Sequence, residues 1–350
     1  MHNKLRTYIA AALVACSCGT GTTPKAGADG AETGNAIYFW KTKFALDGQD
    51  SAFLKDHDIK RIYLRYFDVD CYYDSASIYN EVVPNATTSF LSPKPEDIEI
   101  VPTVFITPKA LEVMEVRREI EHTAELICQR IMNMSSYNEM GPISEVQLDC
   151  DWAQSTREIF FSLCESIRKI LAEKEISLSV TIRLHQLRQK KVPPADRGVL
   201  MLYNTGALRN PDTRNSILSA DDVKLYLRGK SQKYALPLDF AYPTYGWAIW
   251  FRVDKFMAIL HHSDFSDESL YEYNGNGIHT VKIAHRTDGH HLMPGDRIRL
   301  ETSEMQAIRE TASMIRQSFP GRPHRNIIYH MDSNNLKSYS YDEIEEIYHY

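Results

Sequence analysis

Apolar and polar positions alternate most clearly at residues 146–152. Val146, Leu148 and Cys150 are apolar, and Gln147, Asp149 and Asp151 between them are polar. A period of two is that of a β-strand, so the two carboxylates share one face. Just downstream Ile159, Phe160, Leu163, Ile167, Ile170 and Leu171 recur at helical spacing, and Ser155 with Glu158 has the form of a capping box. The alternation returns in Leu178-Ser179-Val180-Thr181-Ile182-Arg183-Leu184-His185 and in Leu236-Pro237-Leu238-Asp239-Phe240. If the apolar faces pack against outer helices, then Gln147, Asp149, Asp151, Thr181, Arg183, His185 and Asp239 point the other way.

Extended over the chain, the pattern predicts strands at 36–41, 61–67, 98–107, 145–152, 177–185, 199–204, 234–242 and 325–331. Helices are predicted near 115–133, from 155 to about 173, and at 219–229, 303–318 and 341–349. Strands alternating with helices imply a parallel sheet. Eight such units imply an α/β fold of the (β/α)8 TIM-barrel type. No Gly-rich phosphate loop follows the first strand, which argues against an open doubly wound sheet. Barrels of this type build their sites at strand C-termini, so the acids at 149 and 151 are candidates for chemistry. Arg183, on the next strand, is their natural counter-charge, because interior carboxylates need partners. His185 reads equally as a hydrogen-bonded wall residue or a ligand contact.

The first 35 residues have a different character. Lys4 and Arg6 precede the apolar run Tyr8-Ile9-Ala10-Ala11-Ala12-Leu13-Val14-Ala15, too short to span a bilayer as a helix. Leu13-Val14-Ala15-Cys16 resembles a bacterial lipobox, which makes Cys16 the expected lipidation site and residues 1–16 a signal peptide. Residues 17–35 are small, polar and rich in Gly and Thr, and read as a flexible tether. The expectation is a membrane-anchored protein of the bacterial cell envelope, with Ser17 arguing for the outer membrane. Residues 36–350 form the barrel domain. A net charge of −6 with mixed charges gives no reason to expect nucleic acid as a partner. The six cysteines show no CxxC spacing, so neither a metal nor another cofactor is expected.

Several motifs taken together resemble the chitinase-like glycoside hydrolases of the family 18 type. Their central strand ends in Asp-x-Asp-x-Glu, and here the order is Asp149-Cys150-Asp151-Trp152-Ala153. Met201-Leu202-Tyr203-Asn204 resembles the family's sixth-strand Met-x-Tyr-Asp/Asn, and Tyr242-Pro243-Thr244-Tyr245-Gly246 its seventh-strand Pro-x-Tyr-Gly. Many members carry a small α+β domain just after that Tyr-Gly, and residues 247–302 occupy the same place. Turn signals at 272–277 and 287–289 make this insertion mainly β with hairpins. The resemblance implies that Asp151 orients an N-acetyl group, with Asp149 and Tyr203 beside it as catalytic candidates, and the strand alternation adds Asp239 as a fourth. The family's proton donor, however, is the Glu that Ala153 replaces, and alanine donates no proton.

Aromatic residues fit a sugar ligand, since flat rings stack on sugar faces while carboxylates and arginine bond hydroxyls. Trp40, Trp152, Tyr242, Tyr245 and Trp247 are the aromatic candidates for ligand binding, with Arg183, His185 and Asn204 as polar ones. The expected function is a membrane-anchored barrel that binds an oligosaccharide or glycan with weak or no hydrolysis. Two alternatives stay open. One is an active hydrolase using Asp151 or another strand-end acid (Asp68, Asp70, Asp239 or Asp332). The other is a structural or assembly lipoprotein.

Overall fold

The computed structural model describes residues 34–72, 81–228, 234–261 and 264–350. The expected signal peptide, Cys16 and the expected tether up to residue 33 lie outside these. Eight strands form a closed parallel barrel, labelled here β1 (Asn35–Phe39), β2 (Ile59–Tyr72), β3 (Glu99–Ile106), β4 (Glu145–Cys150), β5 (Ser177–Arg183), β6 (Arg197–Met201), β7 (Leu238–Pro243) and β8 (Asn326–Tyr329). Each pairs in parallel with the next. Closure comes from β1, which pairs with β8 through Ala36 and Ile327 as well as with β2. The (β/α)8 barrel expected from the alternation is therefore the fold.

The helices obey local rules. Helix α1 (Gly48–Asp56) is held by a reciprocal capping box of Asp47 and Asp50. Helix α2 (Pro108–Arg117) starts with Pro at its first position, and its cap Thr107 accepts from the Ala110 amide. It ends at Arg118 in the left-handed region, φ 57°, before α3 (Ile120–Tyr137). The single helix expected at 115–133 is thus two. Helix α4 (Arg157–Ala172) buries Phe160, Leu163, Cys164, Ile167 and Leu171 against the barrel, each worth roughly 1.5–3 kcal/mol where a large side chain leaves water. Its cap is Thr156, with no side-chain cap bond, so the expected box of Ser155 and Glu158 does not form. Helices α5 (Ala220–Leu227), α6 (Met305–Ser318), α7 (Ser333–Leu336) and α8 (Tyr341–Tyr348) complete the outer layer.

Inside the barrel, polar side chains satisfy one another. Tyr38 Oη donates to Gln147 Oε1 at 2.7 Å, and Gln147 Nε2 donates to Ser179 Oγ at 3.2 Å. At the N-terminal end Arg61 Nη1 meets Glu145 at 2.5 Å, and Arg197 Nη1 meets Asp239 at 3.0 Å. The four cysteines among the described residues are unpaired, and Cys128, Cys150 and Cys164 are buried. Burial pushes the Cys128 thiol up to about 11 and raises the thiols of Cys71, Cys150 and Cys164 as well.

Residues 246–302 form a second, antiparallel sheet in the order Lys255–Leu260, Gly246–Arg252, Arg297–Thr302, Ile278–Val281, Tyr271–Tyr273. A small hairpin joins His285–Thr287 to His290–Leu292 across Asp288 and Gly289, both at positive φ, as a two-residue turn demands. No described residue of this insertion is helical, so it is β rather than α+β, as its turn signals indicated. Two guanidinium groups tie it to the loop after β6, and the first, that of Arg297, donates to the Pro211 carbonyl. Arg299, 1 % exposed, bonds Glu301 Oε1 at 2.7 Å and donates to the carbonyls of Leu208, Asn210 and Pro211. Glu301 also accepts from Ser216 Oγ at 2.5 Å and Trp247 Nε1 at 2.7 Å.

Candidate functional site

A cavity of about 240 Å³ opens at the C-terminal end of the barrel. Its wall includes Trp40 after β1, Arg65 and Asp68 on β2, and Phe105 at the end of β3. Asp149 and Asp151 come from β4, Arg183 from β5, Met201, Tyr203 and Asn204 from β6, and Tyr329 from β8. C-terminal ends of seven of the eight strands thus converge, as barrel geometry dictates.

Two arginine–carboxylate groups make up its polar part. Arg183 Nη2 donates to Asp149 Oδ1 at 3.1 Å, its Nε donates to Asp151 Oδ1, and Thr181 Oγ1 donates to Asp149 Oδ1 at 2.5 Å. Asp149 is buried, whereas the Asp151 side chain is 52 % exposed. Burial pushes the Asp149 carboxyl above its ordinary value, although Arg183 and Thr181 pull it down. Burial works against the Arg183 charge, but Asp149 and Asp151 outweigh it and the net direction is up. On the opposite side Arg65 grips Asp68 with two bonds, Nε–Oδ1 at 2.9 Å and Nη2–Oδ2 at 2.5 Å, and its guanidinium lies 5.5 Å from the Trp40 ring centroid.

The aromatic part is a stack. Tyr203 and Tyr329 lie face to face, centroids 4.4 Å apart, and Tyr245 meets both edge-on. Tyr245 Oη donates to Asn204 Oδ1 at 2.8 Å, while Asn204 sits at φ 54°, a conformation asparagine tolerates. Burial raises the Tyr203 hydroxyl well above its ordinary value. Two donors in this region are buried and have no hydrogen-bond partner among the described residues: Tyr203 Oη and Arg183 Nη1.

The structure therefore brings Trp40, Asp149, Asp151, Arg183, Tyr203 and Asn204 to one place, with Tyr245 behind the wall. His185 lies on the 3-10 turn Leu184–Arg188 just after β5 and is exposed. Burial of its ring and the Arg183 charge lower its pKa, against the pull of Asp151. Trp247 lies beyond the cavity wall, edge-on to Tyr245 at 5.3 Å and bonded to Glu301.

Three candidates lie elsewhere. Asp239 is at the opposite end of the barrel, held by Arg197 and by the Arg325 amide at 2.7 Å; it balances charge and reaches no ligand at the mouth. Trp152 is 1 % exposed and packs on Phe160 and Phe161 of α4. Tyr242 is fully buried, its ring 6.0 Å from that of Tyr350. Both are core residues between strand and outer layer. Arg65, Phe105 and Tyr329 are wall residues that the sequence reading did not single out.

Each of the described acids lining the mouth, Asp68, Asp149 and Asp151, is paired with an arginine. Ala153 is exposed and has only a methyl group to offer. Of the other strand-end acids, Asp70 accepts from Thr107 Oγ1 at 3.0 Å, and Asp332 caps α7 and pairs with Lys41 at 3.1 Å. Among the described residues no group of three His, Cys, Asp or Glu side chains is placed to hold a metal ion, and no helix is long and apolar enough to cross a membrane.

No protein-family model matches the chain, and no curated protein does. Solved structures of similar shape include a chitinase from Chromobacterium violaceum ATCC 12472, with 12 % identity, TM-score 0.47, and 85 % of this chain and 94 % of that chain covered. The spore cortex-lytic enzyme SleL from Bacillus megaterium QM B1551 matches at 9 % identity and TM-score 0.46, over 85 % of this chain and 71 % of that one. The Group IV chitinase of Ostrinia furnacalis, in complex with allosamidin, matches at 9 % identity and TM-score 0.49, over 91 % of this chain and 98 % of that one. At 9–12 % identity such likeness concerns the path of the backbone and not the chemistry of the mouth.

Proposed function

We propose that this chain is a lipid-anchored, glycoside-hydrolase-like barrel of the bacterial cell envelope that binds an oligosaccharide at its mouth and hydrolyses it weakly or not at all. The observation that carries this reading is the wall itself. Trp40, Tyr203 and Tyr329 offer aromatic surface beside Arg–Asp pairs, while the position after Asp151-Trp152 holds Ala153. Aromatic faces and paired polar groups suit sugar recognition. Arginine-held carboxylates suit it better than they suit proton donation, which needs a carboxyl aimed at the leaving oxygen.

A glycan array probed with the protein tests this directly. Binding of at least one oligosaccharide is expected, and Trp40→Ala should lower that affinity about tenfold, since stacking on an aromatic ring contributes about 1 kcal/mol or more. Wild-type turnover of N-acetylhexosamine oligomers should be at background, and Ala153→Glu is the change that would raise it. Brisk wild-type hydrolysis would instead favour the active-enzyme alternative. The small volume favours a second reading, an assembly lipoprotein whose mouth serves another protein. Pockets for small molecules usually run from about 300 Å³ upward, and an array with no binder would select that reading.

The anchor is tested separately. Cys16→Ser should move the protein from the membrane to the soluble fraction. Recovery of that variant with membranes at the wild-type level would remove lipidation from the proposal.

A further inference from the structure

The bonding around Arg183 is unequal. Its Nη2 reaches the buried Asp149, which Thr181 also holds, so that side is part of the barrel floor. Its Nε has a single contact to Asp151, whose side chain is half in solvent. Among the described residues its Nη1 has no partner and neither has the hydroxyl of Tyr203, a residue 5 % exposed, although both residues line the cavity. A guanidinium carries five N–H donors in a fixed fork, so Asp151 uses this one poorly. An exposed ion pair is worth about 0–1 kcal/mol, and an incoming group replaces it at little cost.

The unmet groups define what suits them. Nη1 offers two N–H donors and no acceptor, and the Tyr203 hydroxyl can donate one more bond. A sugar hydroxyl is neutral and brings a proton that needs an acceptor of its own, and Asp149 Oδ1 already accepts from Arg183 and Thr181. A carboxylate is acceptor-only, has about four lone-pair sites and matches a guanidinium in charge and shape. We propose that the mouth is a seat for the carboxylate of an acidic sugar, received by Arg183 and Tyr203, and that Asp151 occupies Arg183 until the ligand displaces it. The inference rests on reading the mouth as a glycan site, and it narrows that reading to sugars bearing a carboxyl, whether a uronate or a lactyl ether.

The test is calorimetric titration of the detergent-solubilised full chain with three probes. These are a glucuronate-containing tetrasaccharide, a disaccharide carrying a lactyl ether, and a neutral N-acetylglucosamine oligomer, the first two also in carboxyl-reduced form. At least one acidic probe should bind about tenfold or more tightly than its reduced form, as a charged hydrogen bond requires. Which of the two does so identifies the source of the carboxylate. Tyr203→Phe removes only an unpartnered hydroxyl, so it should keep the melting temperature and lose much of that preference. Asp151→Asn should tighten acidic probes several-fold relative to neutral ones. Equal binding of acidic and reduced forms overturns the carboxylate seat while leaving glycan binding intact. Weakened acidic binding in Asp151→Asn overturns displacement, and no binding to any probe overturns both the seat and the glycan reading.

Discussion

Arg183→Leu should lower the melting temperature by far more than Lys41→Leu. Arg183 is the counter-charge of Asp149, whose side chain is 4 % exposed and cannot turn to water. Removing one partner of a buried pair leaves an uncompensated charge and costs about 3–5 kcal/mol. Lys41 also pairs with an acid, Asp332, at 3.1 Å, but its side chain is 42 % exposed. A pair of that kind contributes about 0–1 kcal/mol. The thermal melts of the two variants, read beside the wild type, decide the matter: equal losses would mean that Asp149 needs no counter-charge.

Arg299→Met should be at least as damaging, and its damage should be local. It strips Glu301, which is fully buried, of its cation and leaves the Leu208 carbonyl without its donor, while Asn210 and Pro211 keep the Thr213 amide and Arg297. A loss of about 3–5 kcal/mol is expected from the charge alone, and the unpaired carbonyl adds to it. Limited proteolysis should then cut within residues 205–216, the segment Arg299 holds. The double change Arg299→Met with Glu301→Leu should recover part of the stability, because an apolar pair of similar volume often replaces a buried ion pair without loss. A double variant no more stable than the single one would show that the carbonyl, not the charge, carries the cost.

Much of the barrel was legible because alternation is a direct imprint of strand geometry. It identified the eight strands, and it placed Gln147, Asp149, Thr181 and Arg183 on the inner face where they lie. The errors came from ends and irregularities. Strand β7 was expected from residue 234 but starts at Leu238, so Asp239 falls at the strand's beginning and hence at the wrong end of the barrel. Trp152 and Tyr242 continue the outward parity of Cys150 and Phe240, which the attraction of an aromatic ring next to an acid obscured. The pairing of Arg65 with Asp68 was hidden for another reason. The register of β2 against β3 shifts between Arg65 and Phe67, and a bulge there lets two residues three apart share the inner face. No period-two reading finds such a pair. Tyr329 has no motif at all; only the closure of β8 onto β1 carries it to Tyr203.

The unpaired cysteines bear on how such a chain survives an oxidising compartment, where the proposed anchor would place it. Oxidation and disulfide exchange begin with a thiolate, and burial holds these thiols in the protonated form. Cys128, Cys150 and Cys164 are in addition covered by the helices and strands they pack between. Once folded, the domain shields these three thiols from oxidants by thiol acidity and access together. The vulnerable interval is the one before the barrel closes, when the same thiols are in water and can cross-link to a neighbouring chain.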